Sequence, residues 1–321
     1  MWHKLPLLIS AYLFLSLLQS SVLSQSREPA TKKPSVYLIK KVDIPPQIDG
    51  KLDDPCWEKA RCLSGFTLLN KKGAVAKEQT KGYLVYDNDN LYLGVECFES
   101  EIGTLKAVYR ERDTNIWEDD CIEVFIDTRN DQKTYFQFIA NSLGAQFDMD
   151  SKHGKTWNGE WKVKTSIGEK LWSVELAIPF DTLNAHPEKG TLWRFNLCRE
   201  RYAGGRIELS AWSNTGENFH TPALFGYLIF DSLEEQIQRD IALMEKKKEE
   251  ILNLLKSASE EELKNNVKQV LKTFEIIKNS FSKCGQLTEE KWFSFYSQLR
   301  ELLNRSQEIK SELEFSVLLN D

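Results

Sequence analysis

Trp117 is followed at once by Glu118, Asp119 and Asp120, and Glu123 stands three residues further on. An indole offers a flat apolar face, and carboxylates accept hydrogen bonds. Together they suit a sugar, whose C–H face stacks on a ring while its hydroxyls donate to acids. The same residues also suit a plain structural role, with Trp117 capping a core and the acids solvated. Carboxylate pairs serve glycosidases as well, and Glu118, Asp119, Asp120 and Glu123 are the candidates here. Neighbours along a strand point to opposite faces, however, so these acids cannot all converge on one bond. The chain has no Gly-x-Ser-x-Gly elbow, phosphate loop or His-rich metal motif. Its four histidines, His3, His153, His186 and His220, leave few candidates for histidine base chemistry. The expectation is binding without intrinsic catalysis.

The elements that must position this group are short strands. Cys121 to Ile126 is mostly β-branched or aromatic, which suits a pleated sheet, and places Trp117 in the loop just before it. Cys121–Asp127 and Thr134–Asn141 form a hairpin across Arg129-Asn130-Asp131, and Ala145–Met149 follows as a further strand. Gly82–Glu99 reads as a hairpin turning at Asp87-Asn88-Asp89-Asn90. Trp161–Ile167 and Leu171–Ile178 form another across Gly168-Glu169, with Trp172, Val174, Leu176 and Ile178 on one face. Val36–Ile39, Leu192–Arg199, Arg206–Trp212 and Phe225–Phe230 complete the set, and Gly204-Gly205 makes a tight turn. Between them, Asp49-Gly50 signals a turn, and Asp54 can cap a short helix with Pro55 at its first position. Such a chain predicts a mainly β fold, an antiparallel β-sandwich over 35–231. From Ser232 the texture changes, with no Gly, Pro or Trp from 231 to 284. Ser232-x-x-Glu235 and Ser259-x-x-Glu262 are capping boxes, and Thr288 can cap a third segment. Leu233, Ile237, Ile241 and Met244 recur at helical spacing, as do Trp292, Phe295, Leu299 and Leu302. The region 232–321 is therefore an α-helical hairpin or three-helix bundle. Its apolar stripe packs on itself or mediates self-association or a protein partner, coiled-coil pairing included.

The chain of 321 residues carries a formal net charge of −6, which argues against a nucleic-acid partner. Lys4 followed by the apolar Leu5–Leu18 reads as a secretory signal peptide over 1–24, with a polar linker over 25–34. That predicts a secreted, periplasmic or extracellular protein with no membrane span after signal removal. Cys56, Cys62, Cys97, Cys121, Cys198 and Cys284 allow disulfides in such a compartment, with pairing left open. Their wide spacing, with no C-x-x-C and only four histidines in the chain, argues against a zinc site. A haem-binding sandwich finds only Met149 and His153 as axial candidates.

Several separated motifs resemble one family, carbohydrate-binding module family 9. They are Ile48-Asp49-Gly50-Lys51-Leu52-Asp53-Asp54-Pro55-Cys56-Trp57, Tyr86–Leu93, Trp117–Asp127, Phe136–Asn141, Phe195-Asn196-Leu197 and Phe219–Gly226, in the family's order over about 36–230. The resemblance implies a sandwich that binds poly- or oligosaccharide, usually as an accessory to glycoside hydrolases in carbohydrate catabolism. It implies that two rings clamp a terminal sugar, Trp117 being one and Phe219, where a Trp is expected, the other. Glu123 and Asn141 would be hydrogen-bonding groups. Ile139 stands where sugar-binding members have a basic residue and Cys198 where they have an amide, so Arg199 or Arg112 would have to supply other contacts. The resemblance also raises structural calcium, for which Asp87 and Asp89, or Asp148 and Asp150, could supply oxygen ligands. The alternative is a structural or interaction protein whose sandwich has lost sugar binding and whose helical tail mediates assembly.

Overall fold

A computed structural model describes residues 35–71, 73–256 and 261–320. The expected signal peptide, linker and Ser259 cap lie outside the described residues. Twelve strands are present among the described residues: β1 (Val36–Lys41), β2 (Thr67–Leu68), β3 (Thr80–Tyr86), β4 (Asn90–Phe98), β5 (Cys121–Asp127), β6 (Phe136–Asn141), β7 (Gln146–Asp150), β8 (Lys162–Ile167), β9 (Leu171–Pro179), β10 (Leu192–Arg201), β11 (Glu208–Ala211) and β12 (Gly226–Phe230). They run in the order β7-β6-β5-β10-β12-β1-β3-β4-β9-β8, with β11 beside β10 and β2 beside β11. The expected sandwich is present, with one departure from an all-antiparallel arrangement. Val36–Ile39 of β1 pairs in parallel with β12, and Lys40–Lys41 pairs in parallel with β3. A strand that switches sheets joins the two layers into one mixed sheet.

Period-two alternation builds the core between the layers. Ile122, Val124 and Ile126 of β5 and Trp193, Phe195 and Leu197 of β10 face Leu91, Leu93 and Val95 of β4 and the Trp172–Ile178 stripe of β9. The opening motif is tied to the second layer. Glu175, on the outer side of β9, accepts from Trp57 Nε1 at 2.9 Å, Asp49 N at 2.9 Å and Gly50 N at 2.8 Å. Gly50 sits at φ +93°, where a Cβ would come within 2.6 Å of the Thr165 backbone. The short helix α1 (Pro55–Glu58) starts at Pro55 as expected. The Asp54 carboxylate does not cap it, because it accepts from Gln47 N at 3.0 Å instead.

Three helices follow: α2 (Leu233–Leu255), α3 (Glu261–Ser282) and α4 (Glu289–Asn320). Ser232 Oγ caps α2 by accepting from Glu235 N at 3.1 Å, and Thr288 Oγ1 accepts from Lys291 N at 3.3 Å at the start of α4. Their apolar faces turn toward one another and toward the sandwich. Val36, Tyr227 and Ile229, on the outer side of β1 and β12, share a core with Ile237, Met244, Trp292 and Tyr296. Trp292 stacks on Tyr296 at 5.0 Å, and its Nε1 donates to Gln236 Oε1 at 2.7 Å. The helical layer thus covers one end of an outer sheet face. No helix of the described residues is long and apolar enough to cross a membrane.

Candidate functional site

The other end of that outer face, over β5, β6 and β10, carries a cleft of about 330 Å³. Alternation along β5 turns Cys121, Glu123, Phe125 and Asp127 away from the sandwich core, so Glu123 stands on its floor. Register places Glu123 opposite Cys198 on β10 and opposite Ile139 on β6. Glu200, two residues beyond Cys198, is therefore a diagonal neighbour on the same face. Trp117, Phe147, Met149 and Lys155 form one wall, and Leu209, Glu217, Asn218, Phe219 and His220 form the other.

Trp117 is held from behind. It lies on a 3-10 turn over Ile116–Glu118 and meets Phe147 edge-on at 5.2 Å. Glu118 beside it is half-buried and accepts from Tyr109 Oη at 2.9 Å, whereas Asp119 and Asp120 are neither solvated nor turned to the cleft. Asp119 is buried and accepts from Val108 N at 3.0 Å, Tyr109 N at 2.9 Å and Asn141 Nδ2 at 3.0 Å. Asp120, also buried, accepts from Lys106 N at 2.8 Å and Tyr202 N at 3.1 Å. These bonds fix the loops that flank Trp117. The Lys155 ammonium lies 4.2 Å over the Trp117 ring and 5.7 Å from that of Phe147, a cation–π contact.

On the floor, Glu123 is 2% exposed, and its Oε2 accepts from Gln137 Nε2 at 2.6 Å. Its carboxyl also hydrogen-bonds that of Glu200. Tyr202 Oη lies 3.1 Å from both Glu200 Oε2 and the Trp117 carbonyl. Burial, then the like charge of Glu200, pushes Glu123 well above the usual carboxylate range. Burial pushes Glu200 up as well, while the proton from Glu123 and the Tyr202 hydroxyl pull it back. Burial and the neighbouring like charge thus favour a proton on the pair, on Glu123 ahead of Glu200. His220 Nδ1 lies 2.9 Å from Tyr135 Oη, and desolvation holds the imidazole below its usual value.

The structure therefore brings Trp117, Glu123 and Phe219 to one cleft. Phe219 is only 4% exposed and packs against Phe125 and Phe225, so little of its ring reaches the cleft. Asn141 lies outside the cleft. Its amide nitrogen donates to Asp119 and to the Tyr109 carbonyl, and its oxygen accepts from Leu143 N and Ala145 N. Arg199 points to the opposite side of β10, where it donates to the Phe98 carbonyl at 2.8 Å and to Glu99 at 3.1 Å. Arg112 is taken up by Asp148, Asn158 and the Gly159 carbonyl. The residues that sequence reasoning missed are Glu200, Gln137, Lys155 and Glu217. Parity with Cys198 could have found Glu200; the others come from pairing across strands and from loops.

Three of the four calcium candidates have side-chain partners within the protein. Asp87 accepts from Asp89 N, Asn90 N and Tyr92 Oη. Asp148 accepts from Trp161 Nε1 and pairs with Arg112. Asp150 accepts from Lys152 N and pairs with His153 at 2.7 Å. Among the described residues, no group of three or more His, Cys, Asp or Glu is placed to hold a metal ion. All six cysteines are free thiols.

A two-sheet sandwich with an aromatic and carboxyl-lined cleft on one outer face is the architecture of a sugar-binding module. Residues 48–233 match the family described as carbohydrate family 9 binding domain-like. The chain belongs to that family, and its helices α2 to α4 lie almost wholly beyond the matched stretch. It is 28% identical over 189 residues to endo-1,4-beta-xylanase A of Thermoanaerobacterium saccharolyticum, covering 57% of this chain and 15% of that protein. It is likewise 28% identical over 191 residues to an exoglucanase of Acetivibrio thermocellus, covering 57% of this chain and 16% of that protein. The match thus spans about one sixth of those enzymes. Among solved structures, a candidate carbohydrate-binding protein from Bacteroides uniformis superposes with a TM-score of 0.50 at 18% identity, covering 61% of this chain and 99% of that one.

Proposed function

We propose that the cleft binds a sugar without cleaving it, and that the protein acts as a secreted accessory to polysaccharide-degrading enzymes. The observation that carries this reading is the convergence of Trp117, Glu123 and Glu200 on one cavity of about 330 Å³, at the small end of ligand sites. That volume suits a short stretch of sugar rather than a long chain. The half-buried Trp117 face serves as the stacking platform, and the Glu123–Glu200 pair accepts from hydroxyls. A non-catalytic role is supported by the same pair. Glycosidase carboxyls stand about 5 Å or more apart with the scissile bond between them, whereas these two hydrogen-bond each other. Calorimetric titration of the purified protein with cellobiose and xylobiose tests the reading. Saturable heat that falls at least about tenfold in affinity on Trp117→Ala is the expected result, since a stacked ring contributes about 1 kcal/mol beyond its buried area. Absence of heat with either glycan, in a folded protein, would remove it.

The burial of Phe219 favours a second reading, in which the sandwich is structural and the helical layer carries the interactions. Under it, Trp117→Ala leaves every glycan titration unchanged.

A further inference from the structure

We propose that this cleft selects sugars bearing a primary amine, over neutral sugars and against sugar acids, with Glu123 and Glu200 receiving the ammonium group. The inference rests on the sugar-binding reading above and specifies its ligand. Its first support is the sign of the lining. Glu123, Glu200 and Glu217 line the cavity against one exposed lysine, Lys155, and the His220 imidazole. None of these three acids is ion-paired among the described residues. A sugar carboxylate would enter against that charge, and a buried like-charge contact is strongly unfavourable.

The second support is the state of the floor. Glu123 is almost wholly buried, with one oxygen bonded to Gln137 and the carboxyl turned to Glu200. A buried carboxyl pair needs either a proton or a counter-cation between its members. Free of ligand, it uses the proton. The third support is that an ammonium already sits on the aromatic wall. Lys155 places its Nζ over Trp117 and Phe147, two rings of the cleft wall. Aromatic faces and carboxyls together make a seat for an ammonium group.

The exchange balances in protons. A sugar amine enters as its ammonium, keeps all its N–H bonds and lies between the two carboxylates. The shared Glu123–Glu200 proton leaves to solvent as its O–H bond breaks. One proton is released per amino sugar bound and none per neutral sugar. The other titratable groups facing the pair hold their state near neutrality. Burial pushes the Cys121 and Cys198 thiols well up, the Tyr135 and Tyr202 hydroxyls are also pushed up, and the His220 imidazole is pushed down. Among the described residues that line the cleft, Lys155 is the one lysine or arginine, and Glu217 is the exposed acid at the rim. Affinity for the amino sugar therefore rises with pH until the sugar's own amine loses its proton.

The test is calorimetric titration of the full chain with the methyl glycosides of glucose, glucosamine, N-acetylglucosamine and glucuronic acid. Each titration is run in two buffers of different ionisation enthalpy. The expected result is glucosamine binding about tenfold tighter than glucose, as for a gained charge-assisted contact. N-acetylglucosamine should behave like glucose, and glucuronic acid should give no measurable binding. Only the glucosamine heat should depend on the buffer. Glu200→Gln, its fold checked by thermal unfolding, should abolish both the preference and the buffer dependence. Glucose binding with no preference for glucosamine, or a glucosamine heat independent of buffer, overturns the inference and leaves the sugar-binding reading standing. If none of the four glycosides, nor cellobiose or xylobiose, gives heat, the sugar-binding reading falls and takes the inference with it.

Discussion

Replacing Glu123 by Gln should make the protein more stable at neutral pH, although it removes an ionisable residue from a hydrogen-bonded cluster. The shapes are nearly the same. A Gln oxygen at this position can still accept from Gln137 Nε2, now 2.6 Å away, and its amide can donate to Glu200 as the shared proton does. What changes is proton binding. In the native state the pair keeps a proton that the unfolded chain gives up near the ordinary value of about 4.5. A carboxyl raised on folding contributes its full stability below the unfolded value and loses it as pH climbs toward the folded one. In that window the native protein holds one extra proton, so stability falls by about 1.4 kcal/mol per pH unit. The Gln variant has no such proton to lose. Glu200 keeps some solvent contact, which screens the pair, so the gain expected at pH 7.5 relative to pH 5 is about 1–3 kcal/mol. Urea midpoints of both proteins across pH 4.5–8 measure it. Curves that stay parallel throughout would show that the folded pair carries no shared proton, and the electrostatic account of the floor would be wrong.

Glu175→Gln should destabilise by about 1–3 kcal/mol, because its amide nitrogen would then face either the Trp57 donor or the Asp49 and Gly50 donors, and Trp57 fluorescence should report the loss. Glu99→Gln leaves Arg199 and Arg201 buried without their carboxylate, a change worth about 3–5 kcal/mol in urea denaturation. Paired arginines hold Glu99 below the usual range despite its burial, so the wild type should also lose this contribution as pH falls through that lowered value. Ile229→Ala should cost about 2–5 kcal/mol, and should loosen α2 and α4 in hydrogen exchange together with β12, since all three meet in one core.

The strand plan was legible because a sheet with both faces covered still alternates in kind. On β5, Ile122, Val124 and Ile126 fill the interior, while Cys121, Glu123, Phe125 and Asp127 face outward. That parity puts Glu123 at an outward position, and carried along β10 it puts Glu200 on the same face beside Cys198. The parallel pairings of β1 were not legible, since strand direction depends on where the chain returns rather than on local pattern. The roles of Asn141 and Arg199 failed to show for a different reason. A polar residue in a strand looks the same in sequence whether it meets a ligand or an orphaned backbone group. Asn141 serves four backbone and side-chain partners, and Arg199 serves a carbonyl and a buried acid.

The central acids show how close those two roles come. Trp117 could present its face only if the loops on either side were fixed, and those loops expose backbone N–H groups at Lys106, Val108, Tyr109, Tyr202 and Ala203. Asp119 and Asp120 accept from all five. Asp119 and Asp120 are therefore used to hold the ring, and the acids that line the cleft come from further away, at Glu123 and Glu200. The outer sheet face is divided accordingly. Over β1 and β12, apolar side chains at the outward positions draw the helices onto the sheet. Over β5 and β10, the same outward positions carry carboxyls that no apolar helix could cover without stranding their charge. The cleft stays open where it does because the sequence puts Glu123 and Glu200 at outward positions of paired strands.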